Sequence, residues 1–228
     1  MKVLSLLLKN KFFSVNLFTN FTKYVIISLQ RNRGGHMNIE LVGNHKNILK
    51  CELNANEKIY AEAGCTLWKS QGITKTTKLN GGIIKGIGRV LTGENLFLNT
   101  YTCESEKGEI AFTPNESRKI LEFNLKQGEK IICQKGSYFC ADTDVVTSTV
   151  YTKQLGEGLF MKKILGPCKV FVAINNNTIE KELKEGESYE IDAGQIAAMS
   201  NNAKLFRNGF SKTVVKGPGK IWVEQYRF

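Results

Sequence analysis

The chain is poor in the residues on which most enzyme chemistry rests. It has two histidines, His36 and His45. That removes most imidazole-based metal sites and the Ser/His and Cys/His mechanisms, which need a positioned base. Six cysteines, at 51, 65, 103, 133, 140 and 168, form no Cys-x-x-Cys pair. Several fall on alternating positions of apolar stretches, where a free thiol acts as a small buried hydrophobe, so reduced thiols are expected. The only aspartates are Asp142, Asp144 and Asp192. Asp142 and Asp144 could touch a cation, but two carboxylates without further oxygen donors make a weak site, and turn capping is the plainer role. Neither a P-loop Gly-Lys-Ser/Thr tail nor a dinucleotide fingerprint is present. No apolar run approaches the ~20 residues that span a bilayer. No catalytic residue, metal or cofactor is therefore expected.

Acid is also missing from two stretches. Residues 1–36 carry Lys2, Lys9, Lys11, Lys23, Arg31 and Arg33 and no acid, which accounts for six of the eleven net positive charges. The remaining +5 over the rest of the chain is a weak pointer to a polyanion. Residues 1–36 fit a signal peptide poorly, because Lys9 and Lys11 interrupt the short apolar core after Lys2. An amphipathic organelle leader would favour Arg over Lys. Arg33-Gly34-Gly35-His36-Met37 reads as a translated purine-rich ribosome-binding site ahead of an initiating Met37. Residues 1–36 are accordingly expected to be a leader or a mis-assigned start outside the fold, with 37–228 forming one compact domain.

The second acid-free stretch is 69–93. Lys69, Lys75, Lys78, Lys85 and Arg89 alternate there with Gly81, Gly82, Gly86, Gly88 and apolar Ile83, Ile84 and Ile87. A basic, glycine-rich, apolar loop suits an anionic lipid surface or a nucleic-acid backbone. The plainer alternative is a glycine-rich strand packed where modules meet. These five residues form the candidate interaction loop.

What the chain does have is order. LNANEKIYAEAG (53–64), LKQGEKIICQKG (125–136) and LKEGESYEIDAG (183–194) share a Leu, a Glu four residues on, and a Gly seven after that. Asn56, Gly128 and Gly186 precede the Glu, and Asn and Gly tolerate the left-handed conformation, so this slot predicts a tight turn. The residues that follow alternate apolar and polar, as a half-buried strand does. Two further patterns recur behind it: Gly-Glu-x-Leu-Phe at 93–97 and 156–160, and Gly-x-x-(x)-apolar runs at 108–112, 166–173 and 217–224. The expectation is an all-β chain of three similar modules, about 39–122, 123–180 and 181–228. Unequal spacing between the copies excludes a fixed-period solenoid. Trp68, just past the first copy, is expected in the core or between modules.

The ordered signature resembles the mitochondrial-biogenesis, altered-inheritance-of-mitochondria-type family. Its matching residues are Ala61–Gly64, Leu91–Phe97, Gln134–Phe139, Gly156–Phe160, Asp192–Gly194 and Gly217–Val223. Through that family the chain is similar to the tryptophan RNA-binding attenuation protein superfamily. The resemblance implies three β-sandwich, double-stranded β-helix-like modules about a pseudo-threefold axis. It carries no functional residues. A cytoplasmic, non-enzymatic binding or scaffolding protein is the first expectation, with a protein or an anionic membrane surface as partner. RNA binding is the second and a small-molecule sensor the third. Oligomerisation is left open.

Overall fold

The computed structural model describes residues 37–44, 46–79, 97–114, 118–134, 136–143, 145, 147–152, 159–208 and 212–225. The chain divides into two compact units, Met1–His36 and Met37–Phe228. The first lies outside the described residues. Among the described residues the second is strand throughout, apart from a single 3-10 turn at Ala193–Gln195.

The strands fall into three successive runs. The first holds β1 (Asn38–Val42), β2 (Ile48–Asn54), β3 (Lys58–Glu62), β4 (Thr66–Lys69), β5 (Ile73–Leu79), β6 (Phe97–Cys103) and β7 (Lys107–Phe112). The second holds β8 (Arg118–Leu125), β9 (Lys130–Gln134), β10 (Tyr138–Ala141), β11 (Thr147–Thr152), β12 (Leu159–Leu165) and β13 (Cys168–Asn175). The third holds β14 (Ile179–Leu183), β15 (Ser188–Asp192), β16 (Ile196–Ser200), β17 (Lys204–Asn208), β18 (Lys212–Lys216) and β19 (Gly219–Val223). The expected boundaries at 122/123 and 180/181 fall inside β8 and β14. The strand leading into each Leu belongs with the turn after it, because the two form one continuous path into the next strand.

The turn that closes each Leu motif is built the same way. Asn56 (φ 66°), Gly128 (82°) and Gly186 (83°) occupy the left-handed slot. The next residue's carboxylate folds back onto the chain. Glu57, Glu129 and Glu187 each accept, through Oε2, the backbone N–H of the residue three earlier, Asn54, Lys126 or Lys184, at 2.8 Å. Their own N–H groups return to the carbonyls of the same three residues at 3.0–3.1 Å. Their carbonyls in turn accept from Cys103, Gly166 and Gly217 at 2.9–3.0 Å.

Four antiparallel sheets result, ordered β1-β2-β7-β4, β5-β6-β3-β10-β13-β8, β11-β12-β9-β16-β19-β14 and β15-β18-β17. Within each run the pairing has one pattern: β2–β7–β4 and β3–β6–β5, then β8–β13–β10 and β9–β12–β11, then β14–β19–β16 and β15–β18–β17. Each of β4, β10 and β16 carries one extra residue, Leu67, Phe139 or Ala197, a bulge that turns the strand. Two runs are stitched to the next by backbone pairing, β3 to β10 (Ala61 opposite Cys140) and β9 to β16 (Cys133 opposite Ala198).

Three cores form between these sheets. Strand β13 explains how: Phe171 and Ala173 join the first core, Val170, Val172 and Ile174 the second. A strand buried on both faces needs apolar residues without alternation, which is why Cys168–Ile174 reads as a nearly unbroken apolar run. Each such side chain contributes roughly 1.5–3 kcal/mol of burial, as an upper figure. The third core packs Ile196, Met199 and Ile221 against Val215 and Leu183. Edge-to-face rings reinforce two of them, Tyr101 on Phe112 at 5.2 Å and Phe123 on Trp222 at 4.9 Å.

Candidate binding surface

Three of the five basic residues of the expected loop, Lys69, Lys75 and Lys78, fall on described residues. Lys69 ends β4, and its Nζ donates to the Ile73 carbonyl at 2.8 Å. Lys75 is exposed on β5, and Lys78 follows on the same strand. The residues from 73 to 79 are paired along their whole length with β6, so this part is strand, as in the plainer alternative for the stretch. Threonine explains it: Thr74, Thr76 and Thr77 are β-branched, and branched residues fit a pleated surface. Lys85 and Arg89 lie outside the described residues, as does Asp144. Asp142 extends the β10–β13 pairing: its Oδ1 accepts the Lys169 N–H at 2.9 Å, and its own N–H donates to the Lys169 carbonyl at 3.1 Å. Asp192 likewise accepts the N–H of Gly194 at 3.1 Å.

Trp68 is 44% exposed rather than buried. Its indole N–H donates to Glu109 at 2.8 Å, and Lys50 reaches the other oxygen of that carboxylate at 2.8 Å. The Lys50 hydrogen bond, then that of Trp68, holds the Glu109 carboxyl below the ordinary carboxylate range, and Lys50 is raised in return. Beside Trp68, Leu67 is 46% exposed.

A second surface was not singled out by sequence. It is the outer face of the β15-β18-β17 sheet. Lys204 and Lys216 lie directly opposite one another across β17 and β18, and Phe206 lies opposite Val214 on the same face. Both lysines are exposed, Phe206 is 44% exposed, and the Lys216 ammonium sits 5.1 Å from its ring centroid. Like charges directly opposed across a sheet are destabilising. The period-two spacing of KLFRN and KTVVK shows which residues share a face. The register that sets lysine against lysine is a tertiary fact.

All six cysteines are buried and unpaired. Burial pushes the Cys65 and Cys133 thiols up to about 12 and Cys168 to about 11. Cys65, Cys133 and Cys168 are therefore neutral packing groups at ordinary pH. Among the described residues no helix is long and apolar enough to cross a membrane, which says nothing of a β-barrel.

The family model for mitochondrial biogenesis AIM24 matches residues 39–226. The chain belongs to that family. An uncharacterised protein of Streptococcus pyogenes serotype M6 is 24% identical over 191 residues, covering 76% of this chain and 75% of the relative. A crystal structure of a Streptococcus pyogenes protein superposes with a TM-score of 0.68 at 20% identity, over 84% of this chain and 94% of that one. At that identity the similarity speaks for the fold alone.

Proposed function

We propose that the protein is a non-enzymatic scaffold, one six-stranded unit in triplicate, that docks on an anionic membrane surface through its β17–β18 face. The triplication is supported by the recurring strand-pairing order, by the three Glu-capped turns and by the three bulges. A pseudo-threefold arrangement of the units needs a third joint, β15 on β4, to match β3 on β10 and β9 on β16.

The observation that carries the surface contact is Lys204 opposite Lys216 with Phe206 exposed beside them. A pair of opposed lysines costs stability in water and is relieved on an anionic surface. An exposed aromatic at the same height suits the headgroup boundary. Each lysine near such a surface contributes about 1 kcal/mol. Replacing both with Ala should weaken binding to phosphatidylcholine–phosphatidylglycerol vesicles about 30-fold, at 1.4 kcal/mol per decade. Unchanged vesicle binding by that variant would remove the assignment. RNA is the competing partner, favoured by any kinship with the attenuation proteins. A salt-dependent gel shift with RNA, without vesicle binding, would choose it.

A further inference from the structure

We propose that β4 of one molecule pairs with β15 of a second, making the third joint between copies of this chain. The register is taken from the triplicated unit described above, so the proposal rests on that reading.

The two joints within the chain show what such a seam requires. In each, the residue after the bulge is paired on one side with a neighbour in its own sheet. Cys140 lies opposite Phe171, and Ala198 lies opposite Trp222. In both pairs one member is small and the other aromatic, and the aromatic is buried, Phe171 at 0% and Trp222 at 7% exposure. The third position holds the same pair with its members exchanged: Trp68 lies opposite Ala111. Small and large are still matched, yet here the aromatic is 44% exposed. The difference is the missing strand. Cys140 and Ala198 are flanked on their other side by Ala61 of β3 and Cys133 of β9. Among the described residues Trp68 has no such neighbour, and β4 ends its sheet.

The matching half is equally exposed. Strand β15 is the counterpart of β3 and β9 in the Leu motif and also ends its sheet. Four of its five residues are exposed, with Tyr189 at 40%, whereas Ile59 and Ile131, at the same place in the motif, are at 0% and 1%. An unpaired strand edge is a ready template for another strand.

Transposing the register of β9–β16 places Trp68 opposite Ile191, Lys69 opposite Glu190 and Ser70 opposite Tyr189. Aromatic against β-branched and cation against anion are favourable cross-strand pairs. The two edges therefore complement each other in shape and charge. Within one chain no pairing joins β4 to β15 among the described residues, and Trp68, Leu67 and Tyr189 remain exposed. The occupant is thus a second copy. The contact is head-to-tail, so it builds a ring if the rotation closes and a filament if it does not.

The test uses the full chain. Lys69→Cys and Glu190→Cys variants are mixed and oxidised; the native thiols are buried and will not compete. A disulfide-linked dimer from the mixture, absent from either variant alone, is expected. Sedimentation velocity should show mass rising with concentration. Lys69→Glu and Glu190→Lys should each weaken association about tenfold, and the charge-swapped pair in one chain should restore it. Trp68 emission should shift to the blue as the complex forms. A monomer at every concentration would overturn the proposal. So would a double-cysteine chain that cross-links to itself, since the joint would then close inside one molecule. Association without a 69–190 link would also overturn it, while leaving the triplicated unit standing.

Discussion

The backbone N–H of Lys126 donates to Glu129 Oε2 at 2.8 Å, three residues along the same turn. The pairs Asn54–Glu57 and Lys184–Glu187 repeat it at the same distance. This bond explains the Glu of each Leu motif: the side chain satisfies a backbone donor that the turn leaves without a ladder partner. Glu129→Ala should cost about 1 kcal/mol, the usual size for a lost cap. Glu129→Gln, which keeps an acceptor, should recover most of it. Urea denaturation of the two variants checks this; equal losses would show that the carboxamide cannot reach the N–H.

The left-handed slot gives a cleaner backbone test. At Gly128 (φ +82°) an added Cβ meets nothing within 4 Å, so Gly128→Ala measures conformational strain alone. A loss of about 1 kcal/mol is expected. Asn56→Gly, at φ 66°, should change stability by only a few tenths of a kcal/mol. Gly217→Ala should cost more than either, because its Cβ would overlap the carbonyl oxygen of Lys184. The order of the three urea midpoints is the measurement, and Gly217→Ala falling between the other two would contradict it.

Burial of the thiols predicts a loss of stability at alkaline pH. Cys133 is fully buried and raised from its ordinary 9.0 to about 12. Its folded pKa lies above its unfolded value, so its contribution is complete below pH 9. It is lost as the pH climbs from 9 towards 12, at about 1.4 kcal/mol per pH unit. Unfolding midpoints should therefore be insensitive to this thiol up to pH 9 and drop above it. Cys133→Ser should flatten the alkaline slope, and an unchanged slope would count against the assignment.

Glu224 directly follows β19, the last described strand. Its Oε2 accepts the Asn175 N–H at 3.0 Å and the Thr178 hydroxyl at 3.2 Å, and the residue is 9% exposed. Glu224→Ala strands the Asn175 N–H, while the Thr178 hydroxyl keeps the Asn175 carbonyl at 2.7 Å, and should cost about 1–3 kcal/mol. Glu224→Gln should lose less. Thermal melts of both resolve this, and a neutral Glu224→Ala would mean that solvent replaces the carboxylate freely.

Much of this fold is written locally. Asn56, Gly128 and Gly186 mark the turns because only such residues enter the left-handed region cheaply, and Ile59, Cys133 and Ile191 mark strands by alternation. The all-β class follows from those signals. The joints do not, because pairing β10 with β3 and β16 with β9 depends on contacts between runs distant in sequence. Trp68, expected in the core or between modules, is exposed, and among the described residues β4 ends its sheet. The stretch 69–79 carries two signals at once. Its lysines suggest a solvated loop, while its threonines and Ile73 hold it in the sheet beside β6. The opposed Lys204 and Lys216 stayed hidden because alternation in KLFRN and KTVVK shows which residues share a face, not which lie across from one another.

The most direct test of the account is co-sedimentation of the full chain with vesicles across a salt series. With phosphatidylglycerol present, the bound fraction should be high at low salt and fall as salt rises, while phosphatidylcholine alone binds nothing. Equal binding to both vesicles, or none to either at low salt, would contradict the anionic-surface scaffold.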